Sequence, residues 1–240
     1  MRYGLIGDIH GNLEALQVVL GSLDKEKIDR LLCIGDVVGY GANPVECINL
    51  LKEKDAKVIA GNHDYASIGL ADVDYFNPFA KEALLWTSEQ FSEEEINYLA
   101  GLRLIEREGD FTMVHATLDN PREWGYILNT FDAALNFELQ TDSICFVGHS
   151  HVPVVYAKKD NFVSGHRFVS KIESGQKYII NVGSVGQPRD GDHRACYVVY
   201  DSRLQTVKLK RVEYDVVQAQ RKILEAGLPE ILADRLSIGR

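Results

Sequence analysis

Five apolar runs along the chain each stop at a side chain able to bind a metal. Leu5-Ile6-Gly7 leads into Asp8-Ile9-His10, and Leu31-Leu32-Cys33-Ile34-Gly35 leads into Asp36. Lys57-Val58-Ile59-Ala60 closes on Gly61-Asn62-His63-Asp64, Phe111-Thr112-Met113-Val114 on His115, and Ile144-Cys145-Phe146-Val147-Gly148 on His149-Ser150-His151. Short apolar runs bounded by glycine and polar residues read as buried strands. Ligands of open α/β sheets gather outside the carboxyl ends of the strands, so the pattern predicts that these scattered residues converge.

Helical spacing fills the gaps between the first runs. Residues 12–23 place Leu13, Leu16, Val19, Leu20 and Leu23 on one face, and Pro44 opens a second helix behind the cap Asn43, with Val45, Ile48 and Leu51 inward. This βαβαβ rhythm predicts a parallel core sheet with helices on its faces. After the polar, small segment 65–75, a helix starts at Pro78 and another at the capping box Ser92/Glu95, ending before Gly101. Residues 102–106 and 111–114 read as a hairpin. Residues 116–129 are irregular but carry Trp124 and Tyr126, whose rings either stack on a base or aryl group or pack beneath their own loop. A helix over 131–139 and a strand over 143–147 follow. Strands over 152–157, 162–169, 177–182, 195–201 and 206–212 are expected to be mostly antiparallel. The helical tail 216–236 breaks at Gly227-Leu228-Pro229. No repeat or linker divides the chain, which reads as a single domain over 1–240, with its core to about 212 and the tail from 215.

Composition narrows the function. At 45% hydrophobic and 25% charged residues, the chain has ordinary globular values. A net charge of -9 argues against stable binding of long nucleic acid through phosphate neutralisation, while small anions remain candidates if cations reverse the local field. Cys33, Cys47, Cys145 and Cys196 are far apart without a CxxC pair, and read as core thiols in a reducing compartment. No run reaches membrane-spanning length and the chain starts at once with a strand, so a cytoplasmic protein without membrane contact is expected, either monomer or homodimer.

Asp8, His10, Asp36, Asn62, His115, His149 and His151 are oxygen and imidazole donors, with no thiolate among them. Such a set suits manganese, iron, nickel or zinc. An aspartate between two cations can bridge them, and Asp36 is placed to do so.

Gly7-Asp8-Ile9-His10-Gly11, Gly35-Asp36, Gly61-Asn62-His63-Asp64, His115 and Gly148-His149-Ser150-His151, in this order, resemble the calcineurin-like metallophosphoesterase superfamily. The closest likeness is to its small prokaryotic phosphodiesterase branch. The resemblance runs from residue 1 to about 200 and includes Asn181-Val182-Gly183-Ser184 with Pro188-Arg189. It implies a four-layer αββα sandwich, two mixed sheets flanked by helices. It also implies one ion on Asp8, His10, Asp36 and His151, and a second on Asp36, Asn62, His115 and His149, with manganese or iron first among the metals. His63 would assist the leaving oxygen, and Asp64 would orient His63.

The implied reaction is hydrolysis of phosphodiester or phosphoanhydride bonds in small substrates, nucleotides among them, by in-line attack of a metal-bound hydroxide. A phosphomonoesterase and a dinucleoside polyphosphate hydrolase are the alternatives within the class, and a catalytically silent metal-binding scaffold is the alternative outside it. The protein-phosphatase branch has a phosphate-holding arginine after its Gly-Asp pair, whereas here Val37-Val38-Gly39-Tyr40-Gly41 follows. Arg189 and Arg194 are the candidate replacements for that clamp, with Asn62 also facing substrate.

Overall fold

Alternation along the central strands sets the layers of the fold. The computed structural model describes residues 1–168 and 170–240. Its strands, in chain order, are β1 (Arg2–Ile6), β2 (Arg30–Cys33), β3 (Lys57–Val58), β4 (Ile105–Glu108), β5 (Phe111–Val114), β6 (Ile144–Val147), β7 (Val154–Lys159), β8 (Phe162–His166), β9 (Lys177–Asn181), β10 (Ala195–Asp201) and β11 (Thr206–Val212). The helices are α1 (Leu13–Glu26), α2 (Pro44–Glu53), α3 (Asn62–Ala66), α4 (Pro78–Glu89), α5 (Glu93–Ala100), α6 (Thr130–Leu139), α7 (Val216–Glu225) and α8 (Glu230–Ile238). One sheet has the order β11-β10-β1-β2-β3 and the other β4-β5-β6-β9-β7-β8.

Side chains alternate across a strand, so each strand contributes to two cores. In β1, Leu5 enters the core between the sheets while Ile6 faces the helices; in β2, Leu32 and Cys33 divide the same way. In β6, Ile144 and Phe146 join the same inter-sheet core, whereas Cys145 and Val147 pack towards Ala133 and Phe137 of α6. Helices α1, α2, α7 and α8 cover the first sheet. The result is the expected αββα order, two mixed sheets flanked by helices. All four cysteines are free and buried, and no helix among the described residues is long and apolar enough to cross a membrane.

The local signals act as expected at several helix starts. Asn12 Oδ1 accepts the Ala15 N–H at 3.1 Å ahead of α1, Pro44 opens α2, and Ser92 and Glu95 form the capping box of α5. Three expectations shift. The run 57–60 gives only the two-residue β3, because Ile59 bridges to Arg103 and the Ala60 N–H donates to the Arg103 carbonyl at 2.8 Å. The hairpin strand expected from 102 therefore starts at Ile105. The late strands are mostly antiparallel, as expected, although β9 returns to the middle of its sheet and lies parallel to β6 while pairing antiparallel with β7. The strand expected over 162–169 ends at His166, and Val169 lies outside the described residues.

Candidate metal centre

Tight loops at the strand ends turn the predicted ligands towards one another. Asp8, His10, Asp36, His149 and His151 all have left-handed backbones, with φ between 50° and 66°. Non-glycine residues adopt that conformation at a cost of roughly 1–2 kcal/mol each, so the surrounding contacts must impose it. Some of those contacts come from the segment after β9. Ser184 Oγ and the Gly186 N–H both donate to the Asp8 carbonyl, at 2.7 and 3.0 Å, and Asn181 Nδ2 donates to the Gly148 carbonyl at 2.6 Å. The His149 N–H closes the set by donating to Asp8 Oδ1 at 3.1 Å.

Two ligand groups result. Asp8, His10, Asp36 and His151 bring one donor atom each to within 4.8 Å of one another, and Asp36, His115 and His149 do the same. Asp36 belongs to both. Its Oδ2 lies 3.6 Å from His10 Nε2 and 3.3 Å from His115 Nε2, while its Oδ1 accepts the His63 backbone N–H at 2.8 Å. Asn62 Oδ1 sits 3.2 Å from His115 Nε2, on the side of the second group. The first sheet supplies Asp8, His10 and Asp36, and the second supplies His115, His149 and His151.

The imidazole orientations suit metal ligation. His10, His115 and His151 each donate Nδ1–H to a carbonyl, of Val38 at 3.1 Å, Ile34 at 2.6 Å and Gln187 at 2.6 Å. His149 instead donates Nε2–H to the Trp124 carbonyl at 2.9 Å. A hydrogen bond on one ring nitrogen frees the lone pair of the other for a cation. Consequently His10 Nε2 and His151 Nε2, only 3.0 Å apart, point lone pair towards lone pair. Two buried acceptors in that relation need a positive charge between them, and a divalent ion fits this donor set.

The charges tell the same story. Burial pushes His10 and His151 well below the ordinary histidine range, and His149 down to about 3, so these rings are neutral. Burial also raises Asp8, to about 7, against the pull of His115. Burial opposes ionisation of Asp36 as well, yet His115, by its charge and its hydrogen bond, holds it well below the usual carboxylate range. Burial would lower His115, but Asp36 and Asp8 outweigh it and raise the ring to about 9. Without an ion, His115 thus carries a proton beside the Asp36 carboxylate.

The remaining predicted residues separate into two sets. His63 and Asn62 line a cavity of about 600 Å³ beside the ligands, as does Arg189. Arg194 does not: its guanidinium is paired with Asp192 at 2.7 and 2.9 Å, away from the cavity wall, which corrects its assignment to substrate. The role assigned to Asp64 is corrected too. Its carboxylate accepts the N–H groups of Gly61, Asp36 and Val37 at 2.8–2.9 Å and of Val38 at 3.3 Å, and makes no hydrogen bond to His63 Nδ1. His63 Nδ1 is buried without a partner, packed where a Cβ on Gly39 would collide with it. An unpartnered buried acceptor is less costly than an unpartnered N–H, so Nδ1 is the bare nitrogen and Nε2 carries the proton.

Sequence reading missed Tyr40, Phe76 and Arg235 as cavity residues. Tyr40 and Phe76 flank the His63 ring at centroid distances of 4.5 and 5.0 Å. Tyr126 stacks on His149 at 4.0 Å, and Trp124 stands edge-on to Tyr65 at 5.9 Å, so both rings of the irregular segment 116–129 face the site.

A calcineurin-like phosphoesterase superfamily domain model matches residues 1–203. The chain belongs to that superfamily. It is a metal-dependent phosphoric ester hydrolase with a buried His/Asp group able to bind metal. The crystal structure of a metallophosphoesterase from Sphaerobacter thermophilus is similar over 100% of this chain and 99% of that one, with 41% identity and a TM-score of 0.87. An uncharacterized protein of Methanocaldococcus jannaschii is 39% identical over 98% of this chain and 97% of its own length. A symmetrical bis(5'-nucleosyl)-tetraphosphatase of Haemophilus influenzae is 30% identical over 46% of this chain, which spans 42% of that relative.

Proposed function

We propose that the protein hydrolyses phosphodiester or phosphoanhydride bonds of small, nucleotide-like substrates at a two-ion centre. The observation that carries this reading is Asp36 Oδ2, shared by both ligand groups beside the cavity. Asp8, His10, Asp36 and His151 would hold one ion, and Asp36, Asn62, His115 and His149 the other. Bound there, such ions neutralise phosphoryl oxygens and acidify a water.

The protein's own groups supply the rest. Burial lowers His63 to about 4, so its ring is neutral and serves by donating Nε2–H to the leaving oxygen as negative charge develops there. Gly39 leaves room for this ring, since a Cβ there would collide with Nδ1. Arg189 places a guanidinium in the cavity wall beside Tyr40, towards which its Nη2 points at 3.4 Å. Trp124 and Tyr126 offer aromatic faces to a base, in keeping with the nucleotide substrate in the name of the Haemophilus relative.

The test is turnover by chelator-stripped protein resupplied singly with manganese, iron, nickel, zinc or magnesium. Bis(p-nitrophenyl) phosphate, p-nitrophenyl phosphate and a dinucleoside tetraphosphate are compared. Metal-dependent hydrolysis of the diester or the anhydride in preference to the monoester is expected. A preference for the monoester would make the protein a phosphomonoesterase, and no turnover with any ion would favour the scaffold.

A further inference from the structure

The cavity wall holds two guanidinium groups from distant parts of the chain. Arg189 follows β9, while Arg235 lies in α8, beyond the last residue matched by the family model. Neither has an Asp or Glu side chain within ion-pair distance among the described residues, although their neighbours Arg194 and Arg211 are matched with Asp192 and Asp190. Arg189 Nε is buried with no hydrogen-bond partner, and its Nη2 reaches only the uncharged Gln187 Oε1, at 2.9 Å, and Tyr40 Oη. Arg235 gives its Nε–H to the Arg240 carbonyl at 2.8 Å. Burial, and then the Arg189 charge, push Arg235 below its usual range. Two like charges in a part-buried wall oppose each other unless an anion joins them.

Their proximity is built into the packing. Leu232, Ala233 and Leu236 seat α8 in the core under the first sheet. The Gly191 N–H donates to the Gly239 carbonyl at 3.0 Å, and a Cβ on Gly239 would lie 2.8 Å from the Asp192 backbone. The end of the tail is therefore fastened to the loop that carries Arg189. Tyr40 joins this pair to the reacting side of the cavity: Arg189 Cζ lies 5.8 Å from its ring centroid, and the same ring is 4.5 Å from His63.

We propose that Arg235, acting with Arg189, is a specificity-determining residue that clamps a phosphate group other than the one undergoing attack. The planar forks of two arginines match the oxygens of a highly charged phosphate chain better than those of a singly charged diester. The preferred substrates are then phosphoanhydrides with further phosphates beyond the scissile bond, an inference that rests on the phosphoesterase reading and narrows it.

The experiment has a binding arm and a kinetic arm. Inorganic triphosphate is titrated calorimetrically into chelator-stripped wild type, Arg235→Met, Arg235→Lys and the control Arg221→Ala, whose side chain lies on the exposed face of α7. Arg235→Met keeps most of the aliphatic stem, and matching melting temperatures establish that the variants fold. The expected result is binding weakened roughly tenfold in Arg235→Met, an intermediate loss in Arg235→Lys and none in Arg221→Ala. Equal affinity of wild type and Arg235→Met, or no binding by wild type, overturns the clamp. In metal-loaded protein, the kcat/KM ratio for a dinucleoside tetraphosphate over bis(p-nitrophenyl) phosphate should fall about tenfold in Arg235→Met. An unchanged ratio with active wild type sinks the clamp and leaves the phosphoesterase standing. A wild type inactive with every ion removes the phosphoesterase and the specificity role together.

Discussion

Asp64 Oδ2 accepts the backbone N–H of Asp36 at 2.8 Å, and Asp64 Oδ1 accepts that of Val37 at the same distance. A buried carboxylate thus shapes the loop that aims the shared ligand. Asp64→Ala would strand several buried N–H groups, each costing about 1–3 kcal/mol. Both ions should bind more weakly and the protein should melt lower, with Asp64→Asn intermediate. Metal titration and thermal melts check this; a variant with full metal content, normal melting and low turnover would restore Asp64 to a purely catalytic role.

His63→Ala should keep both ions, since the contact of His63 with Asp36 Oδ1 is through the backbone N–H. Turnover should drop by roughly 100- to 10,000-fold on substrates with poor leaving groups and less on activated aryl esters. Metal analysis beside a leaving-group series measures it. Loss of an ion in the variant would make the ring a ligand.

Asp36→Ala removes the one carboxylate common to both groups. Metal content should fall at both positions together, whereas His149→Ala should deplete only the group it shares with His115. Elemental analysis after dialysis separates the two outcomes, and two tightly held ions in Asp36→Ala would show that it is no bridge.

Metal affinity should rise with pH up to about 9. His115 is raised to about 9 in the ion-free protein, above its ordinary value, so its protonated contribution to stability is complete below about 6.5 and disappears as pH climbs through 9. An ion that takes Nε2 displaces this proton. Calorimetry at neutral pH in buffers of different ionisation enthalpy should register its release, and His115→Gln should abolish that part.

The residues of the two candidate ligand groups were legible because each follows an apolar run, and a strand delivers whatever follows it to the sheet edge. Asp64 was misread because it adjoins His63 in sequence. In α3 adjacent side chains point in different directions, so Asp64 need not reach the ring of His63. Arg194 was misplaced because Asp192, two residues away, captures it. Arg235 had no signal at all: it sits on an amphipathic tail helix, and only the packing of that helix on the 186–192 loop brings it to the cavity. The parallel pairing of β9 with β6 was equally hidden, since strand direction depends on where the chain returns after the β7–β8 excursion.

Because each ligand group draws on both sheets, the centre is also a gauge of how the two sheets sit against each other. Between them lie Tyr3, Phe111, Phe146 and Tyr200, with ring centroids 5.0–6.1 Å apart. A substitution in that dry aromatic layer, far from any phosphate, would let one sheet slide on the other. A misplacement of about 1 Å is enough to cost on the order of a hundredfold in rate. Catalysis here therefore has a mechanical tolerance set by the interior of the sandwich, and activity should fail before the fold does.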